Sequence, residues 1–344
     1  MRKRIGWLDV VKCFGIFAIF WGHYGVDGGN AGQFVFTYHV PLFFLVSGCS
    51  EYLSRGTRIR SCLSKVFRDL LIPWLFFCIA SIVIHVLQTD CELLSLWPMV
   101  WKILQGTIRN TFTAWGLWFL TCLASIKVIF AFLRKLRSPW LILGACVILH
   151  VVTWFTVDPE APVLPFNLDA ALYYLLYYGI GFVSFPAIDR LLNTEHKGGK
   201  LLLGLSFCVS AGYCAYLYFG RNLFGFLEAI PFGQKLLPVL TALTAIWFNI
   251  VLAYIFRDVE SFQKIGRNTL YLCGSEYPVR IFSGVFMSAI GLNLTFSSSL
   301  ASCFASIITL WWANKYLVPI EKRILSEILS AVDFFTKTPA IAGK

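Results

Sequence analysis

Charge is what this sequence has least of. Asp, Glu, Lys and Arg make up 14% of its 344 residues, whereas 58% are hydrophobic and 17% aromatic, with a mean hydropathy of +0.72. A soluble domain of this length has no use for so much apolar side chain, but a polytopic membrane protein does. Several chemical signatures are also missing. There is no CxxC pair, no zinc-ligand spacing, no P-loop and no dinucleotide-binding fingerprint, so no metal or resident nucleotide site is expected. The G-x-S-x-G elbow is absent too, which leaves Ser47 in LVSGC without the context of a nucleophile; Gly48 beside it reads as a point of close helix packing. No fixed-period repeat occurs. Eleven cysteines, most of them inside apolar spans, read as small apolar filler and not as a disulfide framework.

What is present is a succession of apolar spans. About ten of them, at roughly 20 residues each, would use about 200 residues. That leaves short loops and no room for a separate soluble domain. The expected spans are, approximately, 7–24, 34–53, 69–87, 115–133, 140–157, 170–187, 201–219, 236–256, 269–290 and 299–317. The first carries Asp9, Lys12 and His23 and has no small-residue cleavage site after it, so it is expected to be a retained span and not a signal peptide. The net charge of +11 raises the possibility of nucleic-acid binding. The basic residues stand at the ends of apolar spans, however, with no aromatic-basic groove, and the positive-inside bias explains them better. Met1 to Arg4 holds three basic residues, and Arg55, Arg58, Arg60, Lys65 and Arg68 form the densest basic run. The DPEAPVLPFNLD loop has none. These place both termini on the inner side. LWPMVWKILQGTI is expected to lie in the interface. The tail from 318 to 344 follows the bundle of 1–317 and is expected to lie on the inner surface, with Ile320, Ile324, Ile328 and Val332 on one face. The fold class is therefore an all-α integral membrane bundle.

Ionisable groups inside spans mark function by default. Lys12 and His23 are eleven residues apart, close to three full turns, so both lie on one helix face about 16 Å apart along the axis. Asp9 shares that face with Lys12. Lys12 alternatively snorkels inward, and His23 alternatively packs as a hydrogen-bonded core histidine. His39, in YHVPLFF, is either the cap of a Pro-containing helix start or a second imidazole brought near His23 by a short loop. Histidine titrates near neutrality and is the usual general base. Lys65 and Arg68, at the inner mouth of the third span, suit phosphate oxygens; topology signalling is the competing reading. Glu276 and Arg280 stand one turn apart inside the ninth span, either neutralising each other in lipid or with Glu276 facing a cavity where it orients His23 or a substrate hydroxyl. Pro278 is expected to kink that span. Trp118 in GLWFL reads as a belt tryptophan. His85, His150 and His196 are assigned no role.

In order along the chain, LDVVKCFGIFAIFWGH, YHVPLFFLVSG, FRDLLIPWL, GLWFL and IGRNTLYLCGSEY resemble the acyltransferase-3 family of multi-pass bacterial membrane acyltransferases. The resemblance covers most of the chain. Members commonly place a basic residue ten positions before the helix-1 histidine; Lys12 stands near that place, where Arg is frequent. The family's RxxR-like pair appears here as Lys65-x-x-Arg68, and Glu276 stands near the place where many members have His. No soluble esterase-like domain of the kind some relatives carry is expected. The resemblance implies an acyl-CoA donor, usually acetyl-CoA, entering from the cytoplasm. It implies His23 and Glu276 as catalytic groups, with Asp9, Lys12, His39, Lys65, Arg68, Trp118 and Arg280 around donor or substrate. The acceptor it implies is a hydroxyl of a surface polysaccharide or lipid-linked glycan, in the bacterial inner membrane. The competing reading is a transporter or flippase; paired broken helices at matching positions in two halves, which would favour it, are not evident. A sensor or scaffold has no need to bury His23, His39 and Glu276.

Overall fold

The computed structural model describes residues 4–23, 29–54, 59–89, 96–107, 116–157, 164–289 and 299–337, with backbone alone for 284–289, 299 and 334–337. Tyr24, Arg55, Arg58, the Trp115 start of the fourth expected span, residues 158–163 of the acidic loop and the end of the tail lie outside the described residues. Among the described residues there is helix and no strand.

The helices run α1 (Gly6–Gly22), α2 (Gly29–Phe36), α3 (His39–Leu53) and α4 (Ile59–Val66), which passes through a π-helical turn at Phe67–Leu71 into α5 (Ile72–Thr89). There follow α6 (Trp97–Gln105), α7 (Trp118–Leu133), α8 (Pro139–Thr156), α9 (Leu168–Leu192), α10 (Lys197–Tyr218) and α11 (Pro231–Ile255). The chain closes with α12 (Glu260–Arg267), α13 (Thr269–Gly274), α14 (Glu276–Ala289), α15 (Ser299–Trp312), a second π-helical turn at Ala313–Leu317 and α16 (Val318–Lys337).

The bundle has an apolar core with polar groups set into it, and an apolar outside. Asp9, His39, Asn167, Asp169, Asn249 and Glu276 are buried, while Leu75, Ile79, Val83 and Leu87 form an exposed stripe along α5. In water that arrangement costs free energy; in lipid it is the stable one. Six stretches are long and apolar enough to cross a membrane: Gly29–Leu53, Ile59–Thr89, Pro139–Thr156, Pro165–Leu192, Lys197–Tyr218 and Pro231–Ile255. The other four expected spans are shorter or interrupted. α1 has 17 residues and α7 has 16, the ninth is divided into α13 and α14, and the tenth passes through a π-helical turn.

Lipid gives helices no hydrophobic reason to associate, so small residues that allow close approach do that work. The pairing of α3 with α9 shows it. A Cβ on Gly48 would collide with the Tyr178 carbonyl oxygen, and one on Gly181 with that of Leu45. The Cys49 thiol donates to the Gly181 carbonyl at 3.3 Å. Gly48 is thus a packing residue, as its sequence context suggested. All ten described cysteines are free.

Three local expectations are revised. The polar stretch after the first span is helical from Gly29, and the second span is broken at Thr37–Tyr38. The ninth span breaks at Ser275, a turn ahead of Pro278. Proline at 278 has no N–H to give the Gly274 carbonyl and its ring crowds that group, so the interruption falls N-terminal to it. The tail is one helix continuous with α15 through the π-helical turn, with Ile320, Ile324 and Ile328 exposed and Leu325 buried on an adjoining face.

Candidate active site

His23 caps the C-terminus of α1, its N–H bonded to the Ile19 carbonyl at 3.1 Å. Glu276 opens α14 immediately after the break that Pro278 imposes. The two side chains meet directly: His23 Nδ1 donates to Glu276 Oε1. Glu276 is only 1% exposed, and its Oε2 has no hydrogen-bond partner among the described residues. Gly116 backs that carboxylate; a Cβ there would stand 3.3 Å from Oε2 and 2.9 Å from the Cys273 carbonyl oxygen. The glycine of GLWFL is therefore what lets the helix break and its acid fit against the approach to α7. Sequence reading passed over Gly116, because nothing local in the motif reveals what lies opposite.

His39 lies beside this pair. Its ring centroid is 6.4 Å from that of His23, with the Phe36 ring against both. Its Nδ1 bonds the Val35 carbonyl at 2.8 Å, and a carbonyl can only accept, so Nδ1 carries the proton and Nε2 the lone pair in the neutral ring. This bond spans the break between α2 and α3. Both sequence readings of His39 thus have a counterpart: it secures a helix start, and it brings a second imidazole next to His23.

Below the pair runs a cavity of about 190 Å³ lined by Lys12, Ile19, Phe43, Ser47, Leu70 and Cys273 among others. Ile19, Phe43 and Cys273 stand about one helical turn from His23, His39 and Glu276 respectively. Leu70 also lines a second cavity of about 300 Å³, whose polar wall includes Glu51, Lys65, Asp69 and Lys127. The two spaces follow one another from the basic end of the bundle toward His23. Asp9 is taken by Arg4, at 2.8 Å, which leaves Lys12 facing the first cavity with no ion pair among the described residues.

Glu51 is the hub of the basic end. It accepts from Arg134 at 2.8 Å and Tyr178 at 3.3 Å, and lies 3.6 Å from the Lys127 ammonium. Neither Glu51 nor Lys127 was singled out from the sequence, although a lone charge within each apolar run was the available signal. The remaining residues are more scattered. Lys65 lines the second cavity, whereas Arg68, half-exposed, is paired with Asp333 of α16 at 3.0 Å. Arg280 lies one turn beyond Glu276, whose carboxylate is engaged by His23 across the bundle. Trp118 starts α7 and packs on Tyr174, with centroids 6.0 Å apart.

Among curated proteins and among solved structures, nothing matches the chain significantly. A family model described as an acyltransferase domain matches residues 5–315, which takes in every residue of the site just described except Arg4 and Asp333. A His paired with a buried Glu at the head of a cleft is chemistry suited to moving an acyl group, and by that match the chain belongs to the acyltransferase-3 family and is an acyl-transferring membrane enzyme.

Proposed function

We propose that this enzyme transfers an acyl group, in the first instance acetyl, from acyl-CoA to a hydroxyl of a cell-surface polysaccharide or lipid-linked glycan. The observation that carries the reading is the succession of Lys65 and Lys127 on one cavity, Lys12 on a second that shares Leu70 with it, and the His23–Glu276 pair about a helical turn beyond. Cationic groups at one end suit the phosphates of the donor. The narrower apolar passage suits an extended thioester arm, and the imidazole stands where that arm would end.

Glu276 holds Nδ1–H of His23, which leaves the Nε2 lone pair as the base. His23 Nε2 takes the proton from the acceptor hydroxyl as its oxygen bonds to the thioester carbonyl carbon. The C–S bond then breaks, and the proton passes from the imidazolium to the departing thiolate. Atoms balance with ester and free CoA thiol as products. Glu276 stabilises the imidazolium in between. In this reading His39 holds the acceptor, and Asp9, through Arg4, shapes the inner edge of α1.

The same proposal orients the chain with ten crossings and both termini on the cytoplasmic side of the bacterial inner membrane. The basic Glu51 end is then cytoplasmic and the His23 end faces outward, in line with the positive-inside bias. Transport has no comparable support. The two broken helices beside His23 are the second and ninth crossings, which are not corresponding positions in two halves.

The test is thiol release from acetyl-CoA by purified protein, with and without a cell-envelope glycan fraction, for wild type and His23→Ala. Glycan-dependent release that disappears in a folded His23→Ala variant is the expected result. Turnover by that variant at the wild-type rate overturns the assignment of the base. Absence of any release by wild type, across several acyl chains, overturns the choice of acyl-CoA as donor.

A further inference from the structure

A third cavity, of about 350 Å³, opens at the His23 end of the bundle, between the last turn of α8 and the first turns of α9 and α11. Its size lies within the range of small-ligand sites, about 300–1,000 Å³. Three aromatic residues, Trp154, Tyr173 and Tyr174, contribute to its wall, together with Asp169, Gln234 and Lys235.

The aromatic side is a built one. His150 is 2% exposed. Its Nδ1 bonds the Tyr173 carbonyl at 2.7 Å, so Nδ1 is the protonated nitrogen and Nε2 accepts, here from the Trp154 indole N–H at 3.2 Å. One buried imidazole thus fixes both Trp154 and the backbone of Tyr173. Phe232 holds the Trp154 ring from another direction, with centroids 5.1 Å apart. Tyr174 is clamped between Phe44 at 4.8 Å and Trp118 at 6.0 Å. Asp169 is 3% exposed, with Oδ1 accepting from the Ala170 N–H at 2.8 Å.

We infer that this cavity binds a pyranose ring of the acceptor, an inference that rests on the proposed function above. The chemistry on its walls selects that class. Aromatic faces carry negative charge density and cover the C–H face of a sugar ring, while a carboxylate, an amide and an ammonium provide both acceptors and donors for its hydroxyls. The route to the chemistry is short: Tyr174 lines the cavity and packs on Trp118, and at Gly116, two residues before Trp118, an added Cβ would stand 3.3 Å from Glu276 Oε2. A glycan seated here presents its next ring toward His23.

The experiment uses the purified full chain, acetyl-CoA and a cell-envelope glycan fraction, with Trp154→Ala, Asp169→Asn and Gln234→Ala. Two quantities are read for each: the acetyl-CoA dissociation constant by calorimetry, and the glycan concentration giving half-maximal thiol release. Gln234 is exposed at the rim, so its variant carries the test if a buried substitution impairs folding. The expected result is a rise of tenfold or more in half-saturating glycan for Trp154→Ala and Asp169→Asn, and a few-fold rise for Gln234→Ala, with acetyl-CoA binding unchanged. Half-saturation within twofold of wild type in folded variants overturns the cavity assignment and leaves the proposed function standing. Wild-type thiol release that does not depend on glycan, or is absent, overturns the proposed function and this inference with it.

Discussion

Replacing Glu276 by Gln tests the catalytic pair with almost no change in shape. Glu276 is buried, and its described hydrogen bond goes to His23. A glutamine there has two ways to sit. With its NH2 toward His23, Nδ1 must accept, the ring proton moves to Nε2, and the base lone pair is lost. With its oxygen toward His23, the tautomer survives but the imidazolium formed during transfer loses its counter-charge. For two unit charges about 4 Å apart at an effective dielectric of about 20, that loss is about 4 kcal/mol, or about 10³ in rate. The expected fall in kcat for Glu276→Gln is therefore about 10²–10⁴, comparable to the usual contribution of a general base. Groups that act as a unit are not additive, so His23→Ala combined with Glu276→Gln should be no slower than His23→Ala alone. The assay is glycan-dependent thiol release from acetyl-CoA in detergent or nanodiscs, with folding checked by size-exclusion chromatography. A Glu276→Gln variant with half the wild-type rate, alongside an inactive His23→Ala, would show that the carboxylate only packs.

Three further outcomes follow from other parts of the molecule. Gly181→Val should cost at least about 1–3 kcal/mol, because its Cβ meets the Leu45 carbonyl; a melting temperature equal to wild type would contradict the close packing of α3 on α9. Asp333→Asn removes the partner of a half-exposed Arg68, so stability should change by less than about 1 kcal/mol, while the half-saturating acetyl-CoA concentration falls, most at low salt; an unchanged value would mean that Arg68 does not meet the donor. Burial lifts the Glu321 carboxyl on α16 from 4.5 to about 7. A folded-state value above the unfolded one means that the folded chain holds the proton more tightly, so stability falls as pH rises from about 4.5 to about 7 and is lowest above that, by at most about 3 kcal/mol. Glu321→Gln should accordingly raise the melting temperature at pH 8 and change it little at pH 5, and equal gains at both would refute the assignment.

The sequence by itself determined the fold class, because long apolar runs with so few charges have one stable solvent, the lipid. It also determined the family, since ordered motifs at fixed chain positions survive without any knowledge of contacts. Single residues with a strong local cause were legible as well. Pro278 announced the interruption of its span, and Gly48 its close packing. Partners across the bundle were not. The interruption at Thr37–Tyr38 has a local cause in Pro41, which has no N–H for the Thr37 carbonyl, but the bond from His39 back to Val35 that secures it belongs to the folded bundle. Whether Glu276 would answer Arg280 one turn away or His23 across the bundle was open at the level of sequence, since periodicity gives neighbours on one helix and nothing about the facing one. Tertiary packing decided it by seating Gly116 behind the carboxylate. The same limit hid Glu51 and Lys127, which lie far apart in the chain and meet only when α3 packs beside α7. It also hid His150, whose part in fixing Trp154 and Tyr173 depends on α8 lying against α9. Hydropathy and motif order are properties of the chain, but a hydrogen bond between helices is a property of their registry, and only the packed structure sets that.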